Sequence, residues 1–444
     1  MEILGLVGIL VAIIAIITMA VKGLNIVIAA PLATMIIILT NQMDIFGSLV
    51  GKEQSYMVGL SNFLISNFAI FLLGSILAQY MEKSNATISI ANFILSKVGV
   101  ENPYVVLVAI AAIGALLTYG GISLFVVMFA LIPLAKPIFK KLNINWELFP
   151  IPLFLGMATF TMSMLPGTPS IQNAVPTTAL GTTLTAAPVL SIIGTVVIAA
   201  FGLIYMKIQL NKSIKNGEGF DSYLEGKGTE VAVKEETIDE SSIPKIGTSL
   251  TPILSLVAVI LVFSKVPNII LIALTVAILL CALLFNRYIP GQKNILSNGA
   301  IGSVIPAFST SSSVAFGSVL TSASGFAIIK DMILNIPGSP VFGLAVASTL
   351  LGGITGSSSG AIGIVMATFA PTYLEMGINP ELIHRVAVVA SAVLTVMPQS
   401  GVVITFNNLS GLSIKHGFIH QFVIVNIGHL LAITAILITS AFLY

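Results

Sequence analysis

Two adjacent amides, Gln172 and Asn173, follow the stretch Pro166-Gly-Thr-Pro169, and another pair, Asn407 and Asn408, follows Pro398-Gln-Ser-Gly401. Both pairs sit in apolar surroundings. Leu148–Met206 contains no Asp, Glu, Lys, Arg or His, yet carries Thr159, Thr161, Ser163, Thr168, Ser170, Thr177, Thr178, Thr182, Thr183 and Thr185 besides its amides. Polar groups in a bilayer are costly unless paired or turned to a cavity. A Thr hydroxyl can bond a carbonyl of its own helix, whereas an amide has more donors and acceptors than a helix backbone absorbs. The amides therefore read as lining a site.

Two Gly/Ser/Thr clusters accompany them: Thr118-Tyr-Gly-Gly-Ile-Ser123 in the first half and Thr355-Gly-Ser-Ser-Ser-Gly360 in the second. A helix interrupted at such places leaves free N–H groups, and the next half-helix starts with positive partial charge. Glycines admit a ligand close to the backbone, and hydroxyls add donors. That chemistry suits a carboxylate. The candidate binding residues are Thr118, Gly120, Gly121, Ser123, Thr168, Ser170, Gln172 and Asn173 from the first half, and Ser357, Ser358, Ser359, Gln399, Ser400, Asn407 and Asn408 from the second. Neither region contains Lys or Arg, which argues against a multiply charged substrate and favours a hydroxylated monocarboxylate. No cofactor or metal is expected.

Other uses of these residues compete. Gly352-x-x-x-Gly356 and Gly356-x-x-x-Gly360 fit close helix packing through small residues. Gly356-Ser-Ser-Ser-Gly360 also matches the nucleophile-elbow pattern of hydrolases, but it lies in an apolar segment with no strand before it. Of the four histidines, His429 is the one that reads as lying inside the membrane, well within the last span; it lies away from both breaks and reads as structural, with a proton relay as the alternative. Ile-Asn-x-Glu-Leu occurs at 144–148 and again at 378–382, and its Glu147 and Glu381 read as caps or anchors at span ends.

The elements that must hold these residues are membrane helices. The 444-residue chain is 56% hydrophobic and 8% charged, far below the roughly 25% of globular proteins. Apolar runs predict spans near 3–21, 24–40, 57–81, 148–187, 188–206, 250–264, 267–286, 295–323, 382–413 and 417–443. Segments 103–135 and 340–374 each enclose a Gly/Ser/Thr cluster and read as a re-entrant hairpin or as two full spans. With hairpins there are ten spans, five per half, both termini outside, and the second half inverted relative to the first. Lys52, Lys265, Lys330 and Arg385 then fall outside and the other fifteen Lys and Arg inside, a strong positive-inside bias. Charge alone also permits fourteen spans.

The polar stretch Lys207–Gly247 reads as a cytoplasmic connector, dividing the chain into a membrane repeat 1–206, a linker 207–248 and a membrane repeat 249–444. Within the repeats, 148–187 and 382–413 are broken helices. Segments 82–97 and 325–335 look amphipathic and interfacial. Residues 3–21 read as the first span, because no basic region precedes them and no cleavage site comes after. The lone Cys281 excludes an internal disulfide, and the net charge of +2 is too small to suggest nucleic acid.

On the Thr118–Val126 segment, Leu165-Pro-Gly-Thr-Pro-Ser-Ile-Gln-Asn173, Thr355–Gly360 and Met397-Pro-Gln-Ser-Gly401, the chain resembles the gluconate permease (GntP) family of the ion-transporter superfamily. Pro166–Asn173 is similar to the D-beta-hydroxybutyrate permease-like branch. The resemblance covers the chain outside the linker. It implies proton-driven symport of gluconate or a similar hydroxy acid such as 3-hydroxybutyrate across the cytoplasmic membrane, by elevator motion, in a homodimer with a hairpin in each inverted repeat. Related dicarboxylate carriers hold sodium with Ser-Asn-Thr at their hairpin tips, and neither tip here has that triplet. The alternatives are a sodium-coupled carboxylate transporter and a cation/proton antiporter, which would call for an intramembrane carboxylate. A membrane hydrolase is the remote one.

Overall fold

The computed structural model describes residues 2–22, 24–98, 102–122, 124–224, 242–263, 266–334, 336, 338–397 and 400–444, and among them every regular element is helical. The first half runs α1 (Glu2–Val21), α2 (Ile26–Thr40), α3 (Ile45–Val50), α4 (Tyr56–Lys83), α5 (Ala86–Val98), α6 (Pro103–Tyr119), α7 (Leu124–Lys141), α8 (Pro150–Met157), α9 (Phe160–Ser163), α10 (Ile171–Leu180) and α11 (Pro188–Lys215). The second half runs α12 (Ile246–Val262), α13 (Ile269–Leu284), α14 (Gln292–Ser322), α15 (Phe326–Leu334), α16 (Pro340–Thr355), α17 (Ser358–Thr368), α18 (Ala370–Glu375), α19 (Pro380–Ser391), α20 (Gly401–Ser410), α21 (Ile414–Phe422) and α22 (Gly428–Leu443). A π-helical turn, Val423–Ile427, joins the last two.

Among the described residues, Pro188–Lys215, Gln292–Ser322 and Lys415–Leu443 are each long and apolar enough to cross a membrane. Tyr56–Ile65 and Asn67–Lys83 meet at 54° and would make a fourth if counted as one span. Several other expected spans, including α2, α12 and α13, are apolar helices of 10–17 residues, as is α6 at the start of segment 103–135. Large apolar side chains such as Ile65, Leu283, Ile301 and Phe442 point outward and are mostly exposed. A helical surface of that kind belongs against lipid. α11 continues through Lys215, well past the expected boundary at Met206.

Local rules explain where helices start and stop. Asn102 caps α6 and Ser339 caps α16, each followed by a proline whose missing N–H costs nothing at a first turn. The Ile-Asn-x-Glu-Leu repeat builds one joint twice. Asn143 and Gly377 both take positive φ, +50° and +77°, and end the preceding helix. Ile144 N–H then bonds Phe139 O at 2.9 Å, and Ile378 N–H bonds Tyr373 O at 3.1 Å. Asn145 and Asn379 cap the next helical turn by accepting from Glu147 and Glu381 N–H at 3.0 and 2.8 Å. The glutamates anchor as expected: Glu147 meets His416 at 2.5 Å, and Glu381 accepts from Ala187 N–H at 3.1 Å. The linker start docks on the first copy, where Asn145 donates to Glu218 at 3.1 Å and Asn143 accepts from Phe220 N–H. Asn216's amide, the largest influence, helps hold the Glu218 carboxyl below its usual range.

Small residues let helices touch at matching places. A Cβ on Gly156 of α8 would sit 2.2 Å from Ala111 O of α6, and one on Gly352 of α16 would sit 2.2 Å from Ser391 O of α19. The packing reading thus holds for Gly352. Gly356 has another role: it is the left-handed residue, φ +59°, that ends α16.

The short helix after each break packs on the opposite half. α10 lies against α17 and α19 of the second half, while α20 lies against α7 of the first. Phe406 of α20 is fully buried, with ring centroids 6.1 Å from Phe149 and 5.3 Å from Phe154 of the first half. Phe406→Ala should cost about 3–5 kcal/mol, read as a lower unfolding temperature in detergent, because the cavity opens between two halves.

Candidate functional site

The first break is held open by its own side chains. Pro166 and Pro169 cannot donate to a helix ladder, and Gly167 turns the chain at φ +81°. Ser170 then caps α10, accepting from Asn173 N–H at 3.3 Å and donating to Met162 O. Thr168 is buried and donates to Thr161 O. In the second half, Ser400 occupies the N-cap position of α20, which like α10 is ten residues long and ends on a left-handed glycine, Gly411 matching Gly181.

Each Gly/Ser/Thr cluster faces the break of its own half. Tyr119 OH donates to Pro166 O at 2.8 Å, and Thr118 Oγ1 bonds Thr161 Oγ1 at 2.8 Å. Gly121, at φ +81°, comes within ordinary contact of Pro169, while Gly120 packs on Ile253 of α12. On the other side Ser400 Oγ donates to Gly356 O at 3.3 Å, and Ser357 caps α17 through Gly360 N–H. Ser357 Oγ bonds Ser359 Oγ at 3.0 Å. One bond joins the two sets: Gln172 Nε2 donates to Ser358 Oγ at 2.9 Å. Gly356→Ala should cost about 1–2 kcal/mol of stability, seen as a lower unfolding temperature. Left-handed strain sets that cost, since a Cβ would meet Ser400 only at 3.8 Å.

Other candidates stand differently. Ser123 and Gln399 lie outside the described residues, as does the side chain of Asn408. Asn173 is fully buried with its whole amide engaged: Nδ2 donates to Thr168 O at 3.0 Å and Leu184 O at 2.8 Å, and Oδ1 meets His384 Nε2 at 3.0 Å. It clamps the break. Asn407 does not occupy the place of Asn173, as the spacing had suggested. It is the seventh residue of α20 where Asn173 is the third of α10, and its Oδ1 accepts from Gln421 at 3.1 Å. Three amide atoms nearby are buried without a partner among the described residues: Gln172 Oε1, Asn407 Nδ2 and Gln421 Oε1.

Two expectations about charge are corrected. Arg385 is fully buried in α19, and its guanidinium donates to Ser163 O at 2.7 Å and twice to Ala186 O at 3.0 and 3.3 Å. A cation therefore adjoins the first break, where none was expected. His384, beside it, is also buried and bonds Asn173 and Thr182. His429 is not remote from the breaks, since its Nε2 lies 3.0 Å from Ser163 Oγ. Ser358, the residue of the elbow pattern, bonds an amide, and each of the four histidines bonds another partner. Asn426 escaped notice altogether; it grips Val396, just before the second break, by both peptide groups at 2.8 and 3.1 Å. An amide flanked by Val425 and Ile427 in the last span was the signal that could have found it.

These features define a helical, membrane-embedded protein with two interrupted helices meeting inside it. No family model matches the chain. It is 30% identical over 443 aligned positions to a Bacillus subtilis protein named Uncharacterized transporter YxjC, covering 90% of this chain and 91% of that one. The chain belongs to the family of that transporter, and it is a membrane transporter. Its fold is similar to that of the Alcanivorax borkumensis YdaH transporter, whose crystal structure is described as having an unusual topology: TM-score 0.55, 14% identity, 86% of each chain covered.

Proposed function

We propose that the chain is a proton-coupled symporter of gluconate or a similar hydroxy-monocarboxylate, of the GntP type and nearest its D-beta-hydroxybutyrate permease-like branch. Two inverted repeats, 1–206 and 249–444, each supply a hairpin (103–135 and 340–374) and a broken helix (148–187 and 382–413) to one midplane site. A homodimer in the cytoplasmic membrane, with termini outside and the 207–248 linker inside, carries the acid by elevator motion. The matching order of elements in the two halves and the joint built twice at 143–148 and 377–382 support the repeat reading.

The observation that carries the substrate reading is Gln172. Its Nε2 bridges the first break to the second cluster through Ser358, while its Oε1 is buried without a partner among the described residues. A carbonyl oxygen in that position awaits a donor, and a hydroxyl on the substrate would supply one. The open helix ends at Ser170, Ser357 and Ser400 offer N–H groups to the carboxylate.

The test is uptake of labelled gluconate and D-3-hydroxybutyrate into proteoliposomes under imposed proton or sodium gradients. Uptake driven by the proton gradient is expected, and neither unhydroxylated butyrate nor a dicarboxylate should compete well. Uptake that responds to sodium alone would move the chain to the sodium-coupled carboxylate transporters.

A further inference from the structure

One turn of the last span grips the chain just ahead of both breaks. Asn426 holds Val396 N–H and C=O, and His429, three residues on and also buried, meets Ser163, the last residue of α9. The π-helical turn Val423–Ile427 sets this spacing, and such turns are frequent at functional sites.

The hydrogen bonds around His429 define which nitrogen titrates. Nδ1 lies 2.7 Å from Val425 O, which only accepts, so Nδ1 carries a proton in either charge state. Nε2 is therefore the atom that gains and loses one. Opposite it, Ser163 has a single hydroxyl proton and two acceptors in reach: Nε2 at 3.0 Å and Thr159 O at 3.2 Å. With neutral His429 the hydroxyl proton points at Nε2. With cationic His429 the Nε2 proton points at Ser163 Oγ, and the hydroxyl swings to Thr159 O. Both arrangements are complete, and they differ in how the end of α9 is tied.

We propose that His429 binds and releases the coupling proton, and that the Ser163 hydroxyl passes its state to the first break. This deepens the symport reading and rests on it. The proton joins Nε2 from the side to which the site is open and leaves the same atom on the other side. The charged group facing this pair is Arg385, whose guanidinium donates to Ser163 O at 2.7 Å. Glu381 on the same helix is occupied with Ala187 N–H, and His384 with Asn173 and Thr182. The facing stretches of α9, α11 up to Met206, and α16 carry no charge, and His420 lies back along α21 against Tyr205. Two adjoining buried cations are tolerated when an anion enters beside them. By linkage, acid binding and proton binding strengthen each other.

The experiment compares parent, His429→Gln and Ser163→Ala as full chains in proteoliposomes, with labelled gluconate and D-3-hydroxybutyrate. The parent accumulates acid down a proton gradient. His429→Gln should lose that accumulation by about tenfold or more while keeping measurable counterflow exchange, whose rate no longer varies with pH as the parent's does. Ser163→Ala should keep exchange and lower gradient-driven accumulation several-fold. If His429→Gln shows no exchange, Ser163→Ala decides alone: unchanged accumulation and pH profile overturn the proposal. Parent-like accumulation by His429→Gln overturns it and leaves symport standing. A parent that ignores the proton gradient overturns both.

Discussion

Arg385→Met should abolish gradient-driven uptake and cost about 3–5 kcal/mol of stability, the range for breaking a buried charged arrangement from one side. The guanidinium is fully buried, and its donors go to two carbonyl oxygens, Ser163 O just before the first break and Ala186 O just before α11. Glu381, one turn earlier on α19, takes the next N–H at Ala187. The two side chains thus hold the C=O and the N–H of one peptide group, just where Ala187 adopts φ +45°, a conformation alanine resists. Methionine fills the volume but donates nothing, so each carbonyl loses a charged donor at about 1–3 kcal/mol. Arg385→Lys should recover only part of this, because an ammonium lacks the planar fork that spans both carbonyls. Thermal unfolding in detergent and uptake in proteoliposomes check the prediction together. A methionine variant as stable and active as the parent would show that the break holds without its cation.

Gln172→Leu should lower kcat/KM for the proposed hydroxy-acid substrate by about 10- to 100-fold, equal to roughly 1.4–2.7 kcal/mol, with stability changed by less than about 0.5 kcal/mol. Separating the two effects distinguishes a binding role from a structural one. Gln172 is only half-buried and makes a single bond, to Ser358, so folding loses little without it. Uptake would lose both the bridge between halves and the unpartnered Oε1 that awaits a substrate hydroxyl. Ser358→Ala removes only the bridge and should cost less, and the double variant should fall short of the sum, as expected for residues in contact. Equal kinetics for parent and Gln172→Leu would remove this residue from the site.

Much of the architecture was legible because it obeys local rules. A run of apolar residues too long for a soluble helix dictates a membrane segment, whatever surrounds it. The breaks at Pro166–Pro169 and at Gly120–Gly121 arise from a missing N–H and from glycines that tolerate positive φ, and Asn145 and Asn379 cap because their side chains reach an N–H two residues on. Such determinants act within one or two turns. The segments 82–97 and 325–335 likewise contain helices, α5 and α15.

What decides the candidate site is contact across the chain, which spacing does not encode. Arg385 and His384 sat within the limits expected for the 382–413 segment, yet nothing in the sequence around them shows that a charged side chain, rarely buried, would be enclosed there. Only the fold brings carbonyls 199 and 222 residues away to that guanidinium. The same holds for His429 with Ser163 and for Asn426 with Val396. It holds too for α10 and α20, each of which packs on the half it does not belong to. Sequence by itself determined where the helices break, because capping and proline chemistry are local. Tertiary structure alone decided which buried groups meet there, because an unpaired polar atom inside a bilayer takes its partner from any helix that reaches it.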